Sequence, residues 1–360
     1  MSELSAENRI AVDDIVKHTM LTGPQPGVVI SITGPQGNYN QSYGLGKIVA
    51  PKTAMTLGGH VRIGSITKLV TALAIFQQMD AGKLTPDDRL SKFVTGVPAG
   101  DLITVQHMMS MRSGVFEYTQ DPTWQRKSYL QPKVKYTQDE VLKLVRDNPS
   151  RFTPGTQYDY ADSNWVLLGM VLEAVTGKTH EAVIKKVIVD LGLLQTSYPM
   201  GNLPGGINVP VPITYGYRQN PAISFWHNAP PQDITQQNPE MFGASGGIIS
   251  TVGDLQLLGQ KIRDGALLSS TTHALRENTS YPVPWTYEGP KEFGYGLGYI
   301  FFGTWRGHGG SIPGYTTVCM FDSVSGAVIA VAENYQTPDA LAFTKIFYRI
   351  ANLLYPGSVS

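Results

Sequence analysis

Cysteine is nearly missing from this sequence: Cys319 stands alone among 360 residues. One thiol excludes an intrachain disulfide and any cysteine-rich metal site. It lies in an apolar, strand-like run, which reads as a buried structural thiol rather than a nucleophile. A surplus of charge is missing too. The 28 basic and 28 acidic residues balance, and no like-charge run or basic patch with interleaved aromatics occurs, so the electrostatic case for nucleic acid or an anionic membrane falls away. No run of about 18 apolar residues could span a bilayer. The seven histidines lack ligand spacing such as His-x-x-x-His, so neither a metal nor another cofactor is expected. Met1 to Met20 is polar and acidic with helical spacing and has no signal-peptide pattern. The expected location is cytoplasmic by default, or extracytoplasmic if a leader has been removed. Oligomeric state is not legible.

What is present describes a globular chain with a sizeable core: 42 % of residues are apolar and 16 % charged. A helix over about 6–20 precedes two strands, 27–33 and 38–45, joined by a turn at Pro35-Gln36-Gly37. Residues 83–200 read as helices separated by turns, at 104–112, 137–148, 164–176 and 181–190. Thr137 with Glu140 forms a capping box at one of them. The stretch 199–242 is rich in Pro, Gly, Asn and Gln, and includes Trp226 and His227; a loop of that length usually covers or forms a site. A small-residue turn at 243–254 then leads into a helix over about 254–265. Strands follow at 295–302, 316–321 and 327–332, with turns at 303–314 and 323–326, before a closing helix at 338–354. The pattern predicts an α+β chain. One lobe (1–82 and 243–360) holds an antiparallel sheet flanked by helices. The chain leaves it to build an all-helical lobe (83–242) with long covering loops, and the cleft lies between them.

The chemistry centres on Gly64-Ser65-Ile66-Thr67-Lys68, at the head of an apolar run that continues to about Met79. Residues three apart share a helix face, so Ser65 and Lys68 meet if a helix starts here. The run is apolar nearly all round, as a buried helix should be. A serine at such a start also sits among unpaired backbone N–H groups that could hold an oxyanion. Taken alone, Ser-x-x-Lys reads first as an ordinary helix start followed by a surface lysine.

Acyl transfer needs a further proton carrier and an oxyanion hole. The stretch Pro154 to Asn164 carries Tyr160 on a tight loop before a helix, and a phenol beside an ammonium is expected to lose its proton more easily. Arg306 to Ser311 places His308, Gly309 and Gly310 at a strand, where glycines let a ligand approach the backbone. Singly, Tyr160 reads as a core tyrosine and His308 as a turn histidine.

Together these residues resemble the serine β-lactamase and penicillin-binding-protein superfamily, in its class C-like branch. That branch includes D-alanyl-D-alanine carboxypeptidases, D-aminopeptidases, D-amino-acid amidases and β-lactamase-like esterases. The similarity runs through 62–68, 80–84, 103–114, 154–156, 160–162, 167–169, 246–251 with Asp254, 294–298, 308–310 and 313–315. Ser-x-x-Lys within such a set is a hydrolase signature. The resemblance implies a β-lactamase/transpeptidase-like fold and a set of roles. Ser65 would be the acylated nucleophile, Lys68 its activator and Tyr160 the general base and acid. The backbone N–H groups of Ser65 and Ser311 would form the oxyanion hole, with His308, Gly309 and Gly310 on the substrate side. Two departures stand out. Asp162 occupies the position of the usual Tyr-x-Asn amide; it could pair with Lys68, be merely structural, or leave the amide's role to Asn164. His308 stands where many relatives have lysine, which resembles the peptidases, amidases and esterases more than true class C β-lactamases.

The expected activity is a metal-free serine hydrolase working through an acyl-enzyme on Ser65. Its substrates would be small molecules or short peptides: D-Ala-D-Ala-type peptides and D-aminoacyl amides ahead of simple esters, with β-lactam turnover demoted. The competing expectation is a non-catalytic module that holds peptidoglycan fragments or penicillin in the same cleft. Phe116, Tyr118, Trp226 and Tyr315 are candidates to line the cleft, and equally candidates for core.

Overall fold

A computed structural model describes residues 2–200, 209–219, 231–283, 293–336 and 343–359. Part of the expected 199–242 loop, with Trp226 and His227, lies outside the described residues, as does the expected start of the closing helix at 338. Among the described residues the chain builds a nine-stranded antiparallel sheet. Its strands are β1 (Gly27–Thr33), β2 (Tyr39–Lys47), β3 (Thr53–Ala54), β4 (Ser280–Pro282), β5 (Phe293–Gly296), β6 (Ile300–Phe302), β7 (Trp305–Ile312), β8 (Tyr315–Asp322) and β9 (Val328–Glu333). They lie in the order β3-β2-β1-β9-β8-β7-β6-β5-β4. The N-terminal hairpin therefore pairs with the last strand, Val29 of β1 opposite Ala332 of β9.

The helices are α1 (Ala6–Thr22), α2 (Thr67–Asp80), α3 (Val105–Met109), α4 (Pro122–Leu130), α5 (Gln138–Asp147), α6 (Ser163–Thr176), α7 (His180–Asp190), α8 (Val252–Arg263), α9 (Ser270–Asn278) and α10 (Phe343–Leu354). The central strands are buried along their whole length, because helices cover both faces. Cys319 of β8 packs on α8, its Sγ reaching Leu255 O at 3.1 Å. Trp305 of β7, whose register partner Asp322 lies three residues from Cys319 and therefore on the opposite face of the sheet, packs edge-on against Phe347 of α10. Burial pushes the Cys319 thiol up to about 12, so it is a structural thiol and no nucleophile. Between α2 and α8 no described residue joins this sheet, and α3–α7 occupy that interval. One continuous apolar cluster nonetheless joins Leu69 and Phe76 of α2 to Trp165 and Leu168 of α6 and Val318 of β8.

The expected α+β architecture is present, with local differences. The capping box of Thr137 and Glu140 starts α5 as expected, and Gly177 ends α6 in the left-handed conformation. The helix expected over 104–112 stops at Met109, and Met111 turns the chain at φ 59°. The turn expected over 303–314 is largely strand β7. Its glycines lower β propensity, yet one of them is required for packing: a Cβ on Gly310 would lie 2.1 Å from Ile63 O and 2.4 Å from Thr317 Oγ1. Helices α4 and α9 went unanticipated, although Asp121 with Pro122 is a helix-start pair.

Candidate active site

The site grows from the turn between Arg62 and α2. A 3₁₀ turn, Gly64–Ile66, leads directly into the helix. Gly64 sits at φ 51°, and a side chain there would come within 3.2 Å of the Ser311 backbone nitrogen, so glycine lets β7 run beside Ser65. The turn is fixed from both flanks. Buried Arg62 donates to the carbonyls of Thr235 and Gln237, and Thr317 Oγ1 donates to Ile63 O at 2.9 Å. Thr67 to Phe76 are all buried, whereas Ser65 remains partly open.

Lys68 is fully buried. Its Nζ donates to Ser65 Oγ at 2.8 Å, Asp162 Oδ1 at 2.6 Å and Ser245 O at 2.9 Å, which matches the three donors of an ammonium. Burial pushes its pKa down from the ordinary lysine value, while Asp162 and, more weakly, Glu117 pull it back. Ser245 belongs to a single helical turn, Gly243–Gly246, which lies along α2 and also accepts from Thr71 Oγ1 at Ala244 O.

Tyr160 approaches from the loop before α6. Its hydroxyl is 2.8 Å from Ser65 Oγ, and Lys68 Nζ stands 5.1 Å from its ring centroid. The expected acidification of this phenol is not found. Burial, the Asp162 charge and Tyr295 push its pKa well above the ordinary value, so the neutral phenol is the resting form. Burial dominates: enclosing the phenol disfavours the phenolate, and the Asp162 carboxylate adds to that.

Asp162 thus pairs with Lys68, with its side chain 22 % exposed. Asn164 does not stand in for the missing amide. It is buried, accepts from Ser113 Oγ and donates to Ala161 O at 3.2 Å. His308 lies behind Tyr160 on β7, 2 % exposed, with ring centroids 6.3 Å apart. Its Nε2 lies 3.0 Å from the Tyr295 hydroxyl and its Nδ1 against Gly309 O. The carbonyl requires a proton on Nδ1, which leaves Nε2 as acceptor. Burial and the nearby Lys68 charge lower its pKa to about 3, so the ring is neutral. Gly309 and Gly310 continue the buried strand, and the side chain of Ser311 is exposed. Tyr118 and Tyr315 are core residues whose hydroxyls reach Met241 O and Thr214 O, while Phe116 is half-buried.

Three contributors were not assigned roles from the sequence. The Ser245 carbonyl holds Lys68, the Tyr295 hydroxyl fixes His308, and Glu117 is a buried acid behind Asp162. Tyr295 lies within the Gly294–Gly298 motif, and Ser245 within a run of small residues between Phe242 and Ile248; a lone glutamate in a loop gives no such signal. Among the described residues no group of three His, Cys, Asp or Glu side chains is placed to hold a metal ion, and no helix is long and apolar enough to cross a membrane.

The beta-lactamase family profile matches residues 12–352. A D-stereospecific amidohydrolase from Streptomyces sp. superposes with a TM-score of 0.81 at 25 % identity, over 97 % of this chain and 98 % of that one. A D-amino acid amidase from Ochrobactrum anthropi SV3 shares the fold with a TM-score of 0.82 at 19 % identity, over 97 % and 99 % of the two chains. A protein of Escherichia coli O157:H7, provisionally named a D-alanyl-D-alanine carboxypeptidase, is 25 % identical over 86 % of this chain and 78 % of its own length.

Proposed function

The chain belongs to the beta-lactamase family, and on that premise we propose that it forms a covalent acyl-enzyme on Ser65 Oγ and hydrolyses small D-configured amides or peptides. The family and its neighbours are serine hydrolases. What supports the reading here is one observation: two proton-carrying groups, Lys68 Nζ and Tyr160 Oη, each 2.8 Å from a partly open serine oxygen. Lys68, whose ammonium is disfavoured by burial, takes the Ser65 proton as Oγ attacks the carbonyl carbon. The Ser65 and Ser311 amides stabilise the oxyanion. The bond to the leaving nitrogen or oxygen then breaks, and the neutral Tyr160 phenol supplies that atom with a proton. The proton on Lys68 restores the phenol. In deacylation Lys68 takes a proton from water as the water oxygen attacks the ester carbon; the bond to Ser65 Oγ then breaks, and Lys68 returns that proton to Oγ.

His308 bears on the substrate. A lysine at this position would offer a cation to a substrate carboxylate; a neutral imidazole with both nitrogens engaged offers none. A D-aminoacyl amide or ester with an uncharged leaving group is therefore favoured over a peptide ending in a free carboxylate. A hydrolysis panel of D- and L-aminoacyl amides, a D-Ala-D-Ala peptide, simple esters and a cephalosporin tests this. We expect D-aminoacyl amides to give the highest kcat/KM. Preference for the D-Ala-D-Ala peptide or the cephalosporin refutes the substrate reading.

A further inference from the structure

Acylation as described leaves a buried acid beside the Tyr160–Asp162 turn without a role. Glu117 is 4 % exposed and precedes the 3₁₀ turn Tyr118–Gln120. Its Oε1 accepts from the Thr119 amide at 3.1 Å and from Thr119 Oγ1 at 2.5 Å, and its Oε2 accepts the Ser163 amide at 3.2 Å. Ser163 opens α6 and directly follows Asp162, so this contact fixes one end of the turn that carries Tyr160 and Asp162. Ser163 Oγ joins in, 3.5 Å from Glu117 Oε2 and accepting the Tyr118 amide at 3.0 Å. The other end is anchored by Arg151, 2.6 Å from Asp159, and by the Asp159 amide on Met111 O at 2.9 Å.

We propose that Glu117 is a positioning residue for Ser65 acylation: it clamps the Tyr160–Asp162 turn through the Ser163 amide, and its charge sets how firmly Lys68 holds a proton. The inference rests on the acyl-enzyme reading. The titratable groups that act with Glu117 are Asp162, Lys68 and Tyr118. Two carboxylates and one ammonium enclosed together carry a net negative charge, which a poorly hydrated interior resists. One carboxyl therefore tends to keep its proton, and burial together with Asp162 pushes the Glu117 carboxyl up to about 7. Below that pH the cluster is neutral overall. Above it, ionised Glu117 stabilises the Lys68 ammonium and so leaves less of Lys68 as the free amine that must relieve Ser65 of its proton.

The test measures Ser65 acylation by p-nitrophenyl acetate, followed by intact-mass spectrometry from pH 5.5 to 8.5, in wild type, Glu117→Gln, Glu117→Ala and Ser65→Ala. Glutamine keeps an acceptor but cannot ionise, so the ratio of its acylation rate to that of wild type is expected to climb by about threefold or more across this range. Glu117→Ala frees the turn and is expected to slow acylation by about tenfold throughout. A Glu117→Gln ratio that stays flat with pH overturns the inference even if Glu117→Ala does not fold, because a purely structural role moves no pH profile. If Ser65 is labelled normally and that ratio is flat, only this inference fails. If wild type and Ser65→Ala show the same adducts, the acyl-enzyme reading fails and takes the inference with it.

Discussion

Replacing Asp162 by alanine isolates the carboxylate that partners the buried Lys68. The carboxylate stands 2.6 Å from an ammonium with no solvent exposure. At an effective dielectric constant of 20 that gap corresponds to a gross attraction of about 6 kcal/mol, against which the cost of burying the lysine must be set. Removing one partner of a buried pair typically destabilises by about 3–5 kcal/mol. Here the lower end applies, since the Asp162 side chain is 22 % exposed and Lys68 can release its proton instead. A loss of about 3 kcal/mol in a chain of this size lowers Tm by about 4 °C. The pH dependence identifies the cause. Asp162 stabilises the protonated lysine, so its contribution is present where Asp162 is ionised and Lys68 charged. It is lost as pH rises through the folded-state lysine value, which lies below the ordinary one. Melting curves of wild type and Asp162→Ala should therefore differ most near pH 6 and converge by about pH 10. An equal difference at both pH values would refute the ion-pair account and make Asp162 a packing residue only.

Tyr160→Phe removes the hydroxyl that donates to Ser65 Oγ and leaves the ring contacts with Tyr295 and His308 in place. Single-turnover kinetics should show kcat down by about 10²-fold or more with Tm nearly unchanged; a loss under threefold removes Tyr160 from the mechanism. Gly310→Ala would press a methyl against Ile63 O at 2.1 Å, so both Tm and Ser65 acylation should fall, whereas Gly253→Ala, whose methyl would meet only Thr251 Oγ1 at 3.9 Å, is the control. His308, held neutral with a value of about 3, resists protonation that the unfolded chain accepts near 6.5. Stability is thus fully present above about pH 6.5 and declines as pH falls toward 3, by about 5 kcal/mol over that range. The pH slope of stability in His308→Asn, measured by urea unfolding between pH 7 and pH 4, should be correspondingly shallower.

Local patterns carried the meeting of Ser65 and Lys68, because they are three residues apart at the head of one apolar helix and that contact needs no tertiary information. The capping box at Thr137 and the glycine stop at Gly177 were legible for the same reason. Strand β7 was read mainly as a turn because its glycines are chosen for what passes beside them, the backbone at Ile63, which a one-dimensional pattern does not contain. The acidity of Tyr160 was misjudged by considering Lys68 without the burial of the phenol, which only the tertiary fold sets, and without the charge on Asp162, two residues further along. Glu117 was passed over between two aromatics that drew attention; its meaning comes from the Ser163 amide, 46 residues away.

The most direct test of the central claim is intact-mass analysis of protein quenched during turnover of a D-aminoacyl p-nitroanilide, with peptide mapping of any adduct. The account predicts one D-aminoacyl group per chain, mapped to Ser65, absent from Ser65→Ala and accumulating when deacylation is slow. Turnover retained in Ser65→Ala, or an adduct on any other residue, would contradict it.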